Sequence, residues 1–308
     1  MILRRFLHTA DWHLIGTSPR CRKDPNWLET QCQMLRFLVS TANAHKVPLV
    51  ACGDIFDKPR VATEVVNMAI RELKEARFGV FLLPGNHDLQ FHDAALVHAS
   101  SLGTLLETFL QIPQIDGIQD AQPFGLDNPT GAKVAFTHQL VFRDEKSKPP
   151  MAKSLTASEL LDQFPDADWI FTGDHHSAWH YTERVEDASD EGTCIRHRHV
   201  VNPGCTIIHA ADMIGQVAKC ALVDIDAGSV EWIEIPDDPA NLSDDHLRTE
   251  EERVSRIESF LEKVQGQGEA KILDFKANLE TKMQELEPTS PVHKALVAIQ
   301  AKATTEEK

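Results

Sequence analysis

Oxygen and imidazole side chains cluster at five places in this chain: Asp11 with His13, Asp54, the run Asn86-His87-Asp88, His138, and the run Asp174-His175-His176. Asp11 and His13 are two residues apart, so on an extended chain they point to the same side. A carboxylate beside an imidazole is a donor pair for a borderline divalent ion. Asp54 carries enough lone pairs to serve two ions at once. Asn86 offers a neutral oxygen. The set contains no thiolate, which suits two Mn²⁺, Fe or Zn ions better than a structural zinc. Two such ions about 3.5–4 Å apart can clamp the attacking and leaving oxygens of a phosphoryl displacement. His87, next to Asn86, is then placed to give a proton to the leaving oxygen. Asp88 is expected behind His87, holding its tautomer or raising its pKa. The chain has no Gly-rich phosphate loop ending in Lys and no Ser or Cys nucleophile motif, so hydrolysis by metal-activated water is the economical chemistry.

Any one of these clusters is weak, because Gly, Asn and Asp are also ordinary turn residues. Their positions carry more weight. Apolar strands are expected over 2–7, 47–52, 80–83, 133–137 and 168–172. Each runs into one of the clusters, and Gly53, Gly85 and Gly173 stand at three of the exits. Open α/β sheets place their sites at such strand ends. Between the strands, Leu28, Cys32, Leu35, Leu38, Val39 and Ala42 mark one face of a helix over 27–45. A second amphipathic helix is expected over 61–76, and short helices over Leu102–Leu110 and Thr156–Phe164. Residues 14–26 and 112–132 read as loops and short edge strands, 143–154 as a surface loop, and 182–199 as an exposed polar excursion. A hairpin over Val217–Asp226 and Ser229–Ile235 closes an α/β domain covering 1–236.

Beyond Pro236 the composition shifts to Glu, Lys and Leu. Residues 237–308 are expected to be a charged, mostly helical extension for capping or partner binding, although Ala270–Leu279 reads equally as a strand. The net charge of −16 over 308 residues does not advertise a nucleic-acid binder. A local basic strip could still come from Arg4, Arg5, Arg20, Arg22, Lys23, Lys58 and Arg60. The six cysteines form no C-x-x-C pair. With no secretory segment at the start and no apolar run near the ~20 residues of a membrane span, the expectation is reduced thiols in a cytoplasmic protein with no membrane partner.

The order D-x-H, G-D-x-x-D (Gly53-Asp54-Ile55-Phe56-Asp57), G-N-H-D (Gly85-Asn86-His87-Asp88), a lone His138 and a Gly-led His cluster resembles the calcineurin-like metallophosphoesterase superfamily over roughly residues 1–235. The phrases His8-Thr9-Ala10-Asp11-Trp12-His13-Leu14 and Gly53–Asp57 are most similar to SbcD-type DNA repair exonuclease subunits of bacteria and phages. The resemblance implies a two-sheet β-sandwich flanked by helices and two divalent ions, with Mn²⁺ expected and Fe or Zn as alternatives. It also implies exonuclease or endonuclease cleavage of DNA in repair and recombination. The partners it implies are DNA, an SbcC-type ATPase and a second copy of the chain. Carried onto this sequence, one ion would take Asp11, His13, Asp54 and His176. The other would take Asp54, Asn86, His138 and residue 174, with His87 as catalytic acid and Asp88 behind it.

Two departures stand out. The family's final G-H-x-H is here Gly173-Asp174-His175-His176, so either Asp174 replaces an imidazole or His175 reaches in. Asn202-Pro203-Gly204-Cys205-Thr206 looks more like the N-P-G-S turn of small bacterial phosphodiesterases. A small-molecule or nucleotide phosphodiesterase or phosphatase, and a catalytically weakened interaction protein, are the competing readings.

Overall fold

A computed structural model describes residues 4–111, 133–189, 192–245 and 247. The expectations for 112–132 and for the helical extension beyond 247 fall outside these residues. What is described up to Asp244 is one compact unit.

Its centre is two stacked sheets. The first has six strands in the order β12-β11-β1-β2-β3-β4. β1 (Arg5–Thr9), β2 (Leu49–Cys52), β3 (Val80–Leu83) and β4 (Leu110–Gln111) run parallel, and β11 (Lys219–Asp224) joins β1 antiparallel with β12 (Ser229–Glu234) outside it. The second sheet has the order β5-β8-β10-β9. β5 (Val134–Phe136), β8 (Trp169–Phe171) and β10 (Gly192–Asn202) are parallel, and β9 (Trp179–Ser189) is antiparallel to β10. β6 (Val141–Phe142) and β7 (Leu155–Thr156) form a separate small pair.

Side-chain alternation decides how the layers stack. Phe6, Val50, Cys52 and Leu83 turn toward Val134, Phe136, Phe171 and Val201 of the other sheet and build the layer between them. The Phe6 and Phe171 rings meet edge-on at 4.8 Å, and each fully buried phenyl contributes roughly 1.5–3 kcal/mol. The alternate residues Leu7, Leu49, Ala51 and Leu82 face outward onto helices α1 (Trp27–His45), α2 (Thr63–Leu73) and α3 (Ser101–Leu106). Helix α4 (Ala157–Gln163) covers the far side of the second sheet with Ala135, Ile170 and Val200.

The helices start and stop where their caps dictate. The Asn26 side chain accepts the Glu29 N–H to open α1, and Lys46 ends it in a left-handed conformation. Gln31 is buried in α1, yet its amide bonds both the N–H and the carbonyl of Ile15. That pairing ties the loop after His13 to the helix. Thr156 and Glu159 form a reciprocal capping box at the start of α4.

One expectation is corrected and another is narrowed. Residues 182–189 and 192–199 are not an excursion but most of the long antiparallel pair β9–β10. Ion pairs and backbone bonds stand in for apolar burial there. Arg198 is buried, faces Glu183, and donates to the carbonyls of Leu161, Phe164 and Ala167 at the end of α4. Three of the seven residues named for a basic strip are held in ion pairs within the chain. Arg22 is clamped between Asp24 and Asp237, while Arg4 pairs with Asp226 and Arg5 with Asp224. The five described cysteines are all free and buried, and no described helix is long and apolar enough to cross a membrane.

Candidate metal centre

The parallel strands of both sheets deliver their C-terminal ends to one place. Beyond β1 and β2 the two chains continue side by side. Asp11 N–H donates to Gly53 O at 3.1 Å, His13 N–H to Asp54 O at 3.0 Å, and Leu14 N–H to Ile55 O at 3.0 Å. To keep that pairing while turning side chains inward, Asp11, His13 and Asp54 take positive φ of 52°, 45° and 50°. Asp174, arriving from the second sheet, does the same at 73°. Such backbone costs about 1–3 kcal/mol per residue, and it clusters at functional sites.

Asp54 lies at the middle. Its Oδ1 accepts the His87 N–H at 2.8 Å. Its Oδ2 lies 3.3 Å from His138 Nε2 and 3.8 Å from His13 Nε2, between two imidazoles. His138 donates Nδ1–H to Cys52 O at 2.7 Å, which fixes its tautomer. Its Nε2 then faces Asn86 Oδ1 at 3.0 Å and Asp174 Oδ1 at 3.9 Å. Asp11 is fully buried, and its carboxylate receives the Asp174 N–H. His13 is 3% exposed, yet neither ring nitrogen has a hydrogen-bond partner. Its Nδ1 looks toward Asp57 Oδ1 at 3.4 Å, a carboxylate behind an imidazole, as behind many metal-bound histidines.

Proximity sets the charges. Burial would raise the Asp54 carboxyl, but the His138 hydrogen bond and the neighbouring imidazoles hold it at about 2. Burial would lower His138, but Asp54 and Asp11 lift it to about 10. Asp11, with burial dominant, is pushed up to about 7. The buried carboxylates draw protons onto the imidazoles beside them, and a cation bound there would take the place of those protons.

Asp54, His138 and Asp174 converge, as do Asp11, His13 and Asp54, with ligand atoms within 4.8 Å of one another in each group. Asn86 joins the first group through His138. His176 stands 5.6 Å from the His13 ring. At 174–175 the directions differ: His175 turns its Nδ1 to Ser177 and sets its ring against Phe142 and Trp179, whereas Asp174 groups with Asp54 and His138.

The expectation for Asp88 is corrected. Asp88 does not stand behind the His87 ring. It is fully buried, and its carboxylate accepts the backbone N–H groups of Ile55, Phe56 and Gly85. Three nearby donors out-compete a ring that points the other way. The exposed His87 instead sets Nδ1 against the Asp57 carbonyl at 2.9 Å.

One residue escaped the sequence reading. His209 lies 4.1 Å from the His13 ring and 5.0 Å from that of His176, and the three can offer nitrogens within 4.8 Å of one another. A lone His five residues after the Asn202-Pro203-Gly204 turn carries no motif. The bridge between Ala10 and Cys205, with the Thr206 N–H on Asp11 O, brings its segment to Asp11.

Two helix-flanked sheets with a His- and carboxylate-rich centre at their strand ends define a metal-dependent phosphoester hydrolase. The sequence matches the calcineurin-like phosphoesterase family over residues 4–210, and the chain belongs to that family. The donors fit the two divalent ions that such a family binds: the His13 nitrogens lack partners and Asp54 faces both groups. Among solved structures, TT1561 of Thermus thermophilus is 11% identical, with 76% of this chain and 100% of that one covered and a TM-score of 0.41. The Pseudomonas putida nuclease MPE is 15% identical, with 75% and 88% covered and a TM-score of 0.30. A comparison with curated proteins finds no match.

Proposed function

We propose that this protein hydrolyses phosphodiesters, with DNA as substrate in the manner of SbcD-type nucleases and Mn²⁺ as the working ion. The observation that carries the diester reading is the charge around the site. The leading charges acting on Asp11, Asp54, His138 and His176 all come from Asp and His side chains, with no Lys or Arg among them. A phosphodiester brings one negative charge and a phosphomonoester up to two. A site whose leading neighbouring charges, among the described residues, include no guanidinium or ammonium favours the former.

Asp11, His13, Asp54 and His176 would hold one ion, and Asp54, Asn86, His138 and Asp174 the other. When bound, the pair polarises the phosphoryl oxygens and acidifies a water. His87 is positioned twice, by its N–H on Asp54 and by its ring on the Asp57 carbonyl. Since a carbonyl only accepts, Nδ1 carries a proton, and the imidazolium form presents a second proton on Nε2 to the leaving oxygen. Asp88 holds the turn that aims His87.

DNA is favoured by the phrases around Asp11 and Asp54. A small phosphodiester is the second reading, favoured by the ion pairs that occupy Arg4, Arg5 and Arg22. The test is hydrolysis of single- and double-stranded DNA, bis(p-nitrophenyl) phosphate and p-nitrophenyl phosphate with Mn²⁺. Preference for diesters, with DNA foremost, is expected. In His87→Gln, cleavage of DNA should fall by about 10²–10⁴. The nitrophenyl diester should suffer less, because its leaving group needs no proton. A preference for the monoester overturns the diester reading. Diester hydrolysis without DNA cleavage selects the small-substrate reading.

A further inference from the structure

We propose that His209 is an additional ligand of the ion held by Asp11, His13, Asp54 and His176, so that the two sites of the centre select different classes of divalent ion. The inference rests on the two-ion reading above and goes beyond it.

His209 is built into the site rather than lying near it. Its segment is fastened to the same backbone as two of the ligands: Cys205 pairs with Ala10, Cys205 N–H donates to His176 O at 3.1 Å, and Thr206 N–H donates to Asp11 O at 3.4 Å. His209 Nδ1 faces the Ile207 carbonyl at 3.2 Å. A carbonyl accepts, so Nδ1 is the N–H and Nε2 keeps its lone pair, the arrangement of a metal-bound histidine. Around it stand His13 and His176, with no hydrogen bond joining the three rings among the described contacts. His13, 3% exposed, has no hydrogen-bond partner at either nitrogen. Three imidazoles gathered this way without mutual bonds offer nitrogens that a shared cation would satisfy.

The donor balance follows. The first site would hold three imidazoles with the carboxylates of Asp11 and Asp54. The second holds one imidazole, His138, with oxygens from Asp54, Asn86 and Asp174. Relative to the family pattern, an imidazole has been lost at Asp174 and another gained at His209 on the opposite ion. Imidazole-rich sites suit borderline ions such as Zn²⁺, and oxygen-rich sites suit harder ions such as Mn²⁺. The centre is therefore assigned one ion of each class.

The full-length chain, stripped with a chelator, is equilibrated with Zn²⁺ and a large excess of Mn²⁺, which offsets the tighter binding of zinc at any such site, then freed of excess ions and analysed for both elements. One zinc and one manganese per chain are expected. His209→Gln should weaken zinc retention by about tenfold or more and leave manganese in place. Asp174→His should exchange the manganese for a second zinc. Zinc-edge X-ray absorption on the wild-type protein should count three imidazoles on the zinc, a readout independent of whether any variant folds. Two imidazoles, or a His209→Gln protein that keeps its zinc unchanged, overturn the assignment, as does wild-type protein holding two ions of one kind. Asp54→Asn and His13→Ala separate the layers of the argument. If they too keep both ions, the two-ion reading falls. If they lose ions while His209→Gln does not, only the role of His209 falls.

Discussion

Two loops close the centre from opposite sheets, and they are held in opposite ways. The turn at 84–88 is held by a side chain of its own: Asp88 gathers the N–H groups of Gly85, Ile55 and Phe56. Gly85 lies so close to Asp54 that a Cβ would overlap its backbone nitrogen and carboxylate. The loop at 173–176 is held by the groups of another segment acting on its backbone carbonyls. The Asn202 amide donates to the carbonyls of His175 and Ser177, and Cys205 N–H donates to His176 O. A Cβ on Gly173 would strike Cys52 O, His138 Nδ1 at 2.7 Å and Ala10 Cβ at 2.9 Å. Asp174 stands in the second loop. A loop clamped by its own side chain can vary little without losing its shape. A loop whose carbonyls are held by another segment can change its side chains and keep its path.

The contrast breaks most severely at Asp88. Asp88→Ala strands three buried N–H groups and should lower the stability of the metal-free protein by about 3 kcal/mol or more. Chemical denaturation measures it, and a loss below a third of that would mean the 84–88 turn is not clamped by this carboxylate. Next comes Gly173→Ala, where the new methyl meets backbone and an imidazole rather than a flexible tip. A loss of about 1–3 kcal/mol is expected, together with weakened metal binding read by titration. Asn202→Ala removes the remote clamp, and about 1–2 kcal/mol should go with its two hydrogen bonds. If it costs nothing, the second loop is self-supporting after all. The smallest effect belongs to Asp174→Asn. Asn tolerates a positive φ, and the N–H held by Asp11 is backbone, so metal-free stability should stay within about 0.5 kcal/mol.

Acid stability tests the sheets behind both loops. His8 is fully buried in β1 with Nε2 toward Val201 O of β10 at 3.3 Å, and burial drops its pKa from 6.5 to about 3. A depressed folded value means the unfolded chain takes up the proton first. Stability from the neutral ring is complete above 6.5 and drains as pH falls toward 3, at up to about 1.4 kcal/mol per pH unit. His8→Phe should make the denaturation midpoint less steep in pH over that window. An unchanged slope would assign the acid sensitivity to other groups.

The elements that carry the site were legible because each is local. The apolar runs ending at Thr9, Cys52, Leu83, Phe136 and Phe171 are read from a few adjacent residues, and α1 falls over Trp27–His45 as its apolar spacing implies. The antiparallel pair β9–β10 was not legible, because its polar strands are stabilised by cross-strand pairing and by Arg198 reaching the end of α4, neither of which leaves an apolar period. Asp88 was misassigned for a similar reason: adjacency to His87 in sequence says nothing about which backbone donors fold around it.

From its sequence alone this protein declares strand–helix–strand repeats with polar groups at the strand ends, and the order of those groups resembles the calcineurin-like phosphoesterases. The repeats and the strand-end groups are properties of residue type, period and spacing, all short-range. The tertiary structure alone decided that Asp174 rather than His175 groups with Asp54 and His138, that Asp88 holds backbone instead of His87, that Arg22 is locked between Asp24 and Asp237, and that His209 joins His13 and His176. Each of those depends on the direction of a side chain after two sheets have stacked. That direction is set by hydrogen-bond competition between segments up to some two hundred residues apart.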